Sequence, residues 1–545
     1  MEFNLKIAGE AGHGLLTIEV GLTEILARAG YHFFATKNYM SRIRGGHNFH
    51  MIRISDEPVH ALGGNAWQML VAFDKESGRR HGPTLSPGGI LIDEEEIRRI
   101  GQDVKEKFAE SFAVNVVLMG CVLAVIGCNP ETLPDAVMNE ERLAMIREGY
   151  RHAQEKNLDG KFPIKPAAGK FLRFDGNQAL GLGAILGGCR FMAAYPMTPA
   201  TSIMNYFANA AGDLPIHFEQ AEDEIAAVNM ALGASYAGLR SMTASSGGGF
   251  DLMTEGLSLA GITETPLVVM LAQRPGPSTG LPTRTEQGDL NLLVHAGHGE
   301  FSRIIFAPGT ITEAIEIARD AFDLADALQC PVLILTDQYL ADSIQTVEHE
   351  LPLSIRQRNG QPYDETYRRY ALTEDGLSPL TYPGIGQALV RVDSDEHDED
   401  GRITEDLDLR IQMVDKRMKK LKHMESLFRK PTFYGDPAAE WMILSWGSNR
   451  QIVEEAVRTI NKKGLSLGAL HFSQVYPLFP GMTSEWNLGK RKLVCLENNA
   501  TGQFAGLLKR EIGLDIDHKI LKYNGECFTA DEIRDRLLKI MEVKP

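Results

Sequence analysis

The sequence predicts an α/β protein built from three parallel-sheet domains. Three observations carry this. Strand-like apolar runs alternate with helix-length amphipathic segments along most of the chain. The runs at 267–272 and 331–337 are apolar almost throughout, as strands covered on both faces are. The alternation breaks down only once, between about 345 and 430, where proline, tyrosine and charge dominate. In order, 5–8 reads as a strand, the glycine-rich 9–14 as a turn and 15–29 as an amphipathic helix, with strands to follow at 50–54, 69–72 and 90–93. A second domain runs strand 215–218, helix 221–237, strand 241–245, helix 250–261, strand 267–272, helix 311–328 and strand 331–337. A basic helix at 410–430 closes the connector. The last domain reads strand 441–446, helix 450–462, strands 465–472 and 492–497, and helix 504–512. The predicted boundaries are 1–165, 166–345, a partly helical connector 346–430, and 431–545.

Composition narrows the classes of function. A chain of 545 residues has room for several domains, each with its own core. A net charge of −16 argues against nucleic acid or an anionic membrane as the main partner. No run of about 20 apolar residues offers a membrane span, and 1–9 lacks the basic start of a secretory signal, so a cytoplasmic protein is expected. Cys121, Cys128, Cys189, Cys330, Cys495 and Cys527 form no CxxC pair, which leaves zinc and iron–sulfur clusters without their usual spacing and predicts buried, reduced thiols.

A strand, Gly9-Glu-Ala-Gly12-His-Gly14 and a helix form a setting that can receive phosphate. The spacing is GxxGxG rather than GxGxxG, and no acidic residue stands roughly 20 positions on, so a stand-alone NAD(P)-binding dehydrogenase is disfavoured. Downstream, Tyr39-Met-Ser-Arg42-Ile-Arg44-Gly45-Gly46-His47 gathers cations and glycines. Arg44 can grip a carboxylate bidentately, although a surface ion pair is an equally ordinary use of such an arginine.

The central domain is more specific. Tyr195-Pro196-Met197-Thr198-Pro199 holds Thr198 between two prolines of fixed φ, so its hydroxyl can be aimed. In order there follow Gln220-Ala221-Glu222-Asp223-Glu224, Ser245-Ser246-Gly247-Gly248-Gly249, Gln273-Arg274-Pro275-Gly276-Pro277-Ser278-Thr279-Gly280-Leu281-Pro282-Thr283 and Glu286-Gln287-Gly288-Asp289-Leu290. This series resembles the alpha subunit of thiamine-dependent 2-oxoacid:ferredoxin oxidoreductases, in the family's order and at about its spacing. The likeness runs from the N-terminus to the final domain. The glycine turn with Arg44-Gly45-Gly46 resembles that family's gamma domain, fused in front as is typical of the 2-oxoglutarate enzymes. The resemblance therefore implies a gamma-type domain, a thiamine pyrimidine-binding-type domain and a transketolase C-terminal-like domain.

What the resemblance implies for the site is concrete. Glu222 would be the carboxyl that protonates the aminopyrimidine of thiamine diphosphate, with Pro196 and Thr198 beside the cofactor. Glu219, Asp223 and Glu224 would complement the helix dipole. Thr198 and Arg274 would hold the 2-oxo carboxylate, and Arg274 also stands at a strand's C-terminal end, where open parallel sheets bind ligands. Ser278 and Thr279 would line the mouth. For the second carboxylate of 2-oxoglutarate, Arg44 or His47 is the expected cation. No Gly-Asp-Gly for Mg²⁺ and no cluster cysteines occur. A beta subunit is therefore expected to bring Mg²⁺, the diphosphate half of the site and a [4Fe-4S] cluster, in an (αβ)₂ assembly. Coenzyme A would be the co-substrate and ferredoxin the acceptor, giving succinyl-CoA and CO₂, with CO₂ fixation in reverse. Pyruvate or a branched-chain 2-oxoacid is the alternative substrate, and a non-catalytic scaffold subunit the alternative class. The acidic run 393–400 reads as a solvated loop rather than a metal site.

Overall fold

The computed structural model describes every residue except 41–44, 63, 65, 111, 134–138, 168, 170, 349–353, 359 and 543–545. The chain divides into two compact units, the first comprising residues 1–175, 342–351 and 529–535 and the second the remainder.

The first unit is built on one seven-stranded sheet. Across it the strands run Leu85–Ile92, Trp67–Ala72, Glu2–Ala11, Gly45–Ser55, His32–Asn38, Ile344–Glu348 and Phe171–Asp175. The first three are parallel, as predicted, but the others pair antiparallel. This corrects the all-parallel expectation. The link from His32–Asn38 to Gly45–Ser55 is far shorter than the dozen or so residues a parallel crossover requires. Two strands of this sheet come from beyond residue 165. Phe3, Leu5 and Ile7 bury against Ile18, Leu22 and Leu26 of the helix Leu15–Arg28.

A helix absent from the sequence reading, Ala113–Val125, is buried nearly all round. It lies against Glu140–Glu155 so closely that a Cβ on Gly149 would stand 1.9 Å from the Val117 carbonyl oxygen. The glycine turn is closed by Asn115, whose Nδ2 donates to the carbonyls of His13 at 2.9 Å and Gly14 at 3.0 Å.

The second unit holds two sheets. One runs Gln474–Tyr476, Ile304–Phe306, Pro331–Asp337, Leu267–Gln273, Ser241–Ser245, Phe191–Ala194, His217–Gln220, all parallel apart from the edge strand Gln474–Tyr476. The other runs Thr432–Gly435, Leu467–Phe472, Trp441–Trp446, Lys492–Glu497, His518–Leu521, antiparallel only at Thr432–Gly435. Strands Leu267–Gln273 and Pro331–Asp337 are buried at every residue, which explains their unbroken apolar sequence. One core spans both sheets, from Val269 and Leu271 of the central strand to Trp446, Phe472 and Phe504.

The connector ends in the helix Leu407–Leu427. Lys416 and Lys420 each reach the fully buried Glu264 at 2.5 Å, and Arg369 donates to the Glu264 carbonyl at 2.6 Å. Burial alone would raise the Glu264 carboxyl, but Lys420, Lys416 and Arg369 outweigh it and hold the group far below the usual carboxylate range. Glu264→Gln leaves two buried ammonium groups unpaired and should destabilise this unit by about 3–5 kcal/mol, read by thermal melting at neutral pH. Because the folded carboxyl is depressed, its contribution is present at neutral pH and lost as pH falls through the depressed value. The gap between wild type and variant should therefore narrow in acid.

The acidic run 393–400 is exposed or partly exposed except at His397, but some of its carboxylates are paired. Glu396 takes both terminal nitrogens of Arg417, at 2.9 and 2.8 Å, Glu399 accepts from Arg368 at 2.8 Å, and His397 is buried. Arginines elsewhere in the chain thus offset part of its charge. No group of side chains fit to hold a metal ion occurs among the described residues.

Candidate active site

The second sheet presents its predicted site residues at the C-terminal ends of parallel strands. Strand Phe191–Ala194 runs into the exposed Tyr195 and Pro196 and the half-buried Thr198. Asn177 Nδ2 pins this loop through the Pro199 carbonyl at 2.8 Å and Ser202 Oγ at 2.5 Å. Arg274 follows the last residue of Leu267–Gln273, and its Nη1 donates to the Thr198 carbonyl at 2.8 Å. The structure thus joins Thr198 and Arg274, residues 76 apart in sequence. The 275–281 loop is folded back on itself: Leu281 N donates to the Pro275 carbonyl at 3.0 Å, and a Cβ on Gly280 would stand 1.7 Å from that oxygen.

The carboxylates after strand His217–Gln220 separate into three environments. Glu222, selected by resemblance, is exposed in this chain. Asp223 caps the helix Glu224–Tyr236, its Oδ1 accepting from Ala226 N at 2.8 Å. Glu224 is 2 % exposed, and Ser245 Oγ donates to its Oε1 at 2.8 Å. The buried carboxyl of this stretch is thus Glu224, two residues after the Glu222 that the resemblance selects. Glu224 shares one helix face with the buried Ala227, Val228 and Ala231, whereas Glu222 precedes the helix and has no core to face.

Gly247, Gly248 and Gly249 lie between two carboxylates. A Cβ on Gly249 would stand 2.2 Å from Glu224 Oε1, and one on Gly247 would stand 2.5 Å from Asp289 Oδ2. Outward of Gly248 the space is open, with only the Ser278 carbonyl near, at 3.8 Å. A planar ring can approach backbone this bare, and a buried carboxylate stands beside it.

Asp289 closes the segment Glu286-Gln287-Gly288-Asp289 ahead of the short helix Leu290–His295. Burial, then Asp251 and Glu286, push its carboxyl up to about 7, with Arg274 opposing. Gln273 Oε1 accepts from the Asp289 N–H at 2.9 Å. Gln287, fully buried, ties the same loop to the third sheet: its Nε2 donates to the Trp446 carbonyl, and its Oε1 accepts from Asn449 Nδ2 and Asn498 N. Gln287→Ala should lower stability by about 1–3 kcal/mol for each buried donor it strands, visible as a lower melting temperature.

His47 lies in the first unit with its Nε2 2.8 Å from His81 Nε2. Burial, followed by Arg80, lowers its pKa, which disfavours the charged ring. Arg44 falls outside the described residues. Five of the cysteines are buried and Cys527 half-buried, none in a disulfide. Among the described residues no helix is long and apolar enough to cross a membrane.

Residues 182–416 match the family model described as pyruvate flavodoxin/ferredoxin oxidoreductase, thiamine diphosphate-binding, and residues 4–155 match pyruvate ferredoxin/flavodoxin oxidoreductase. Fold and site together therefore define a thiamine-diphosphate-binding oxidoreductase. The chain is 31 % identical to the 2-oxoacid:ferredoxin oxidoreductase subunit alpha of a Sulfolobus species, over 99 % of this chain and 97 % of that one. It is 33 % identical to the 2-oxoglutarate synthase subunit KorA of Methanocaldococcus jannaschii, over 56 % of this chain and 82 % of that one. Among solved structures, the 2-oxoglutarate:ferredoxin oxidoreductase of Magnetococcus marinus, with 2-oxoglutarate, coenzyme A and succinyl-CoA bound, superposes with a TM-score of 0.89 at 29 % identity, covering 99 % of both chains. The chain belongs to the alpha subunits of the 2-oxoacid:ferredoxin oxidoreductases.

Proposed function

We propose that this alpha subunit serves the oxidative decarboxylation of 2-oxoglutarate. One 2-oxoglutarate, one coenzyme A and two oxidised ferredoxins would give succinyl-CoA, CO₂, a proton and two reduced ferredoxins. The observation that carries the reading is the joining of Arg274 to the Thr198 loop at the same sheet edge as the buried Glu224 and the bare glycine floor. The KorA relatives and the Magnetococcus structure support the substrate.

Thiamine diphosphate, when bound, supplies the electron sink for loss of CO₂ from a 2-oxoacid. The residues present fit its aminopyrimidine end: Glu224 would hold a proton at a ring nitrogen, oriented by Ser245, and Gly247–Gly249 would admit the ring face. Glu224 thus replaces Glu222 in this assignment, with Pro196 and Thr198 beside it. Arg274 binds the carboxylate next to the reacting carbonyl. The diphosphate, Mg²⁺ and a [4Fe-4S] cluster are assigned to a beta subunit in an (αβ)₂ assembly, since this chain has no Gly-Asp-Gly and no cluster-spaced cysteines.

Offered a panel of 2-oxoacids anaerobically, the assembled enzyme should reduce viologen fastest with 2-oxoglutarate. A preference for pyruvate or a branched-chain acid would overturn the substrate and keep the chemistry. Arg44 and His47 are the sequence candidates for the second carboxylate, and burial disfavours the charged form of His47. Arg44→Ala should lower kcat/KM for 2-oxoglutarate well beyond any loss with pyruvate, and equal losses would remove Arg44 from that role.

A further inference from the structure

Asp289 is half-buried near the Arg274 cation, and its Oδ2 serves no structural bond. Its Oδ2 is sealed from solvent, and no donor among the described residues reaches it. The Arg274 guanidinium hydrogen-bonds the Thr198 carbonyl instead. The carboxyl is held in place from its own backbone, where Gln273 Oε1 accepts from the Asp289 N–H, and by Gly247, which leaves room for it only because it lacks a side chain. Gln273 itself is fixed by donating to the Thr336 carbonyl at 3.2 Å. A group so rigidly placed and so poorly satisfied is costly to keep unless the site uses it.

We propose that Asp289 is a positioning residue for the anion site at Arg274, its carboxyl taking up a proton when an anionic substrate carboxylate binds there. The inference rests on the reading of Arg274 as the substrate's carboxylate anchor. Among the described residues, the charged groups that act on Asp289 are Asp251, Glu286 and Arg274. Two of the three are acidic, and an incoming carboxylate adds another negative charge while engaging the one cation. Each change favours the neutral form of Asp289, and a carboxyl already poised at about 7 needs little to become fully protonated. The step is simple in balance: one proton passes from solvent to the Asp289 carboxylate as the anion enters, and leaves when it departs. Anion affinity should then fall as pH rises above neutrality, because the proton must be taken from an increasingly dilute pool. The neutral carboxyl would also give the sealed site a hydrogen-bond donor.

The test is calorimetric titration of the assembled, cofactor-loaded enzyme with 2-hydroxyglutarate, which lacks the reacting carbonyl, in buffers of different ionisation enthalpy. The wild type should take up close to one proton per site near pH 8 and little near pH 6, with affinity falling up to tenfold per pH unit above neutrality. Asp289→Asn should bind without uptake and with a flat pH dependence, and should melt no lower than the wild type at pH 8. Absence of uptake in the wild type, which needs no variant, would overturn the proposal, as would unchanged uptake in Asp289→Asn. A separate arm with Arg274→Ala isolates the underlying reading: undiminished binding there would show that Arg274 is not the anchor, whatever Asp289 does.

Discussion

Glu224→Gln should lower kcat by about 10²–10⁴-fold, the range over which a positioned acid–base group contributes, while leaving the fold intact. Glutamine keeps the volume and an oxygen for Ser245 Oγ, which now donates to Oε1 at 2.8 Å. It cannot hold or release the proton that a ring nitrogen of the cofactor requires. The 2 % exposure of Glu224 matters here, because water would otherwise compete for that proton. Glu222→Gln, at an exposed position two residues earlier, should stay within a few-fold of wild type. The pair of variants is discriminating. Collapse of activity in Glu222→Gln with survival of Glu224→Gln would return the role to the residue that motif resemblance selects.

The second large effect is at Arg274. Arg274→Ala removes the guanidinium that donates to the Thr198 carbonyl, and kcat/KM should fall by about 10²–10³-fold, as when one preorganised charge-stabilising group is lost. Arg274→Lys should recover only part of this, because an ammonium cannot reproduce the planar two-pronged grip on a carboxylate. The loss should appear with every 2-oxoacid, since all share the carboxylate beside the carbonyl. That separates Arg274 from Arg44, whose effect should depend on the second carboxylate. Burial lowers the Arg274 pKa, with Asp289 opposing, but from so high a starting value that the side chain stays charged at working pH.

Much of the second unit was legible because its strands are apolar and punctuated. The elements Ser241–Ser245, Ile311–Leu328, Pro331–Asp337, Trp441–Trp446 and Lys492–Glu497 stand at their predicted positions. The first unit was less so. Periodicity tells a strand from a helix but not which way the strand runs, so the antiparallel half of its sheet was missed. Ala113–Val125 has no polar face and hence no helical period to read.

At the site, Thr198 and Arg274 came from motif order and strand ends, and the structure brings them into contact. The burial of Glu224 rather than Glu222 was readable in the sequence. Asp223 is a standard helix N-cap, which makes 224 the first helical position and puts 224, 227, 228 and 231 on one face. Asp289 carried no such signal. Its character depends on Arg274, Asp251 and Glu286, which only the folded chain gathers around it.

The account is tested most directly by anaerobic single-turnover and steady-state assays of this chain assembled with its beta subunit, thiamine diphosphate, 2-oxoglutarate, coenzyme A and ferredoxin. It predicts succinyl-CoA and CO₂ in equal amounts, with two ferredoxins reduced for each and no reduction when coenzyme A or 2-oxoglutarate is withheld. A cofactor-loaded complex that reduces no ferredoxin with any 2-oxoacid, or that reduces it equally well with Glu224 and Arg274 both replaced, would contradict it.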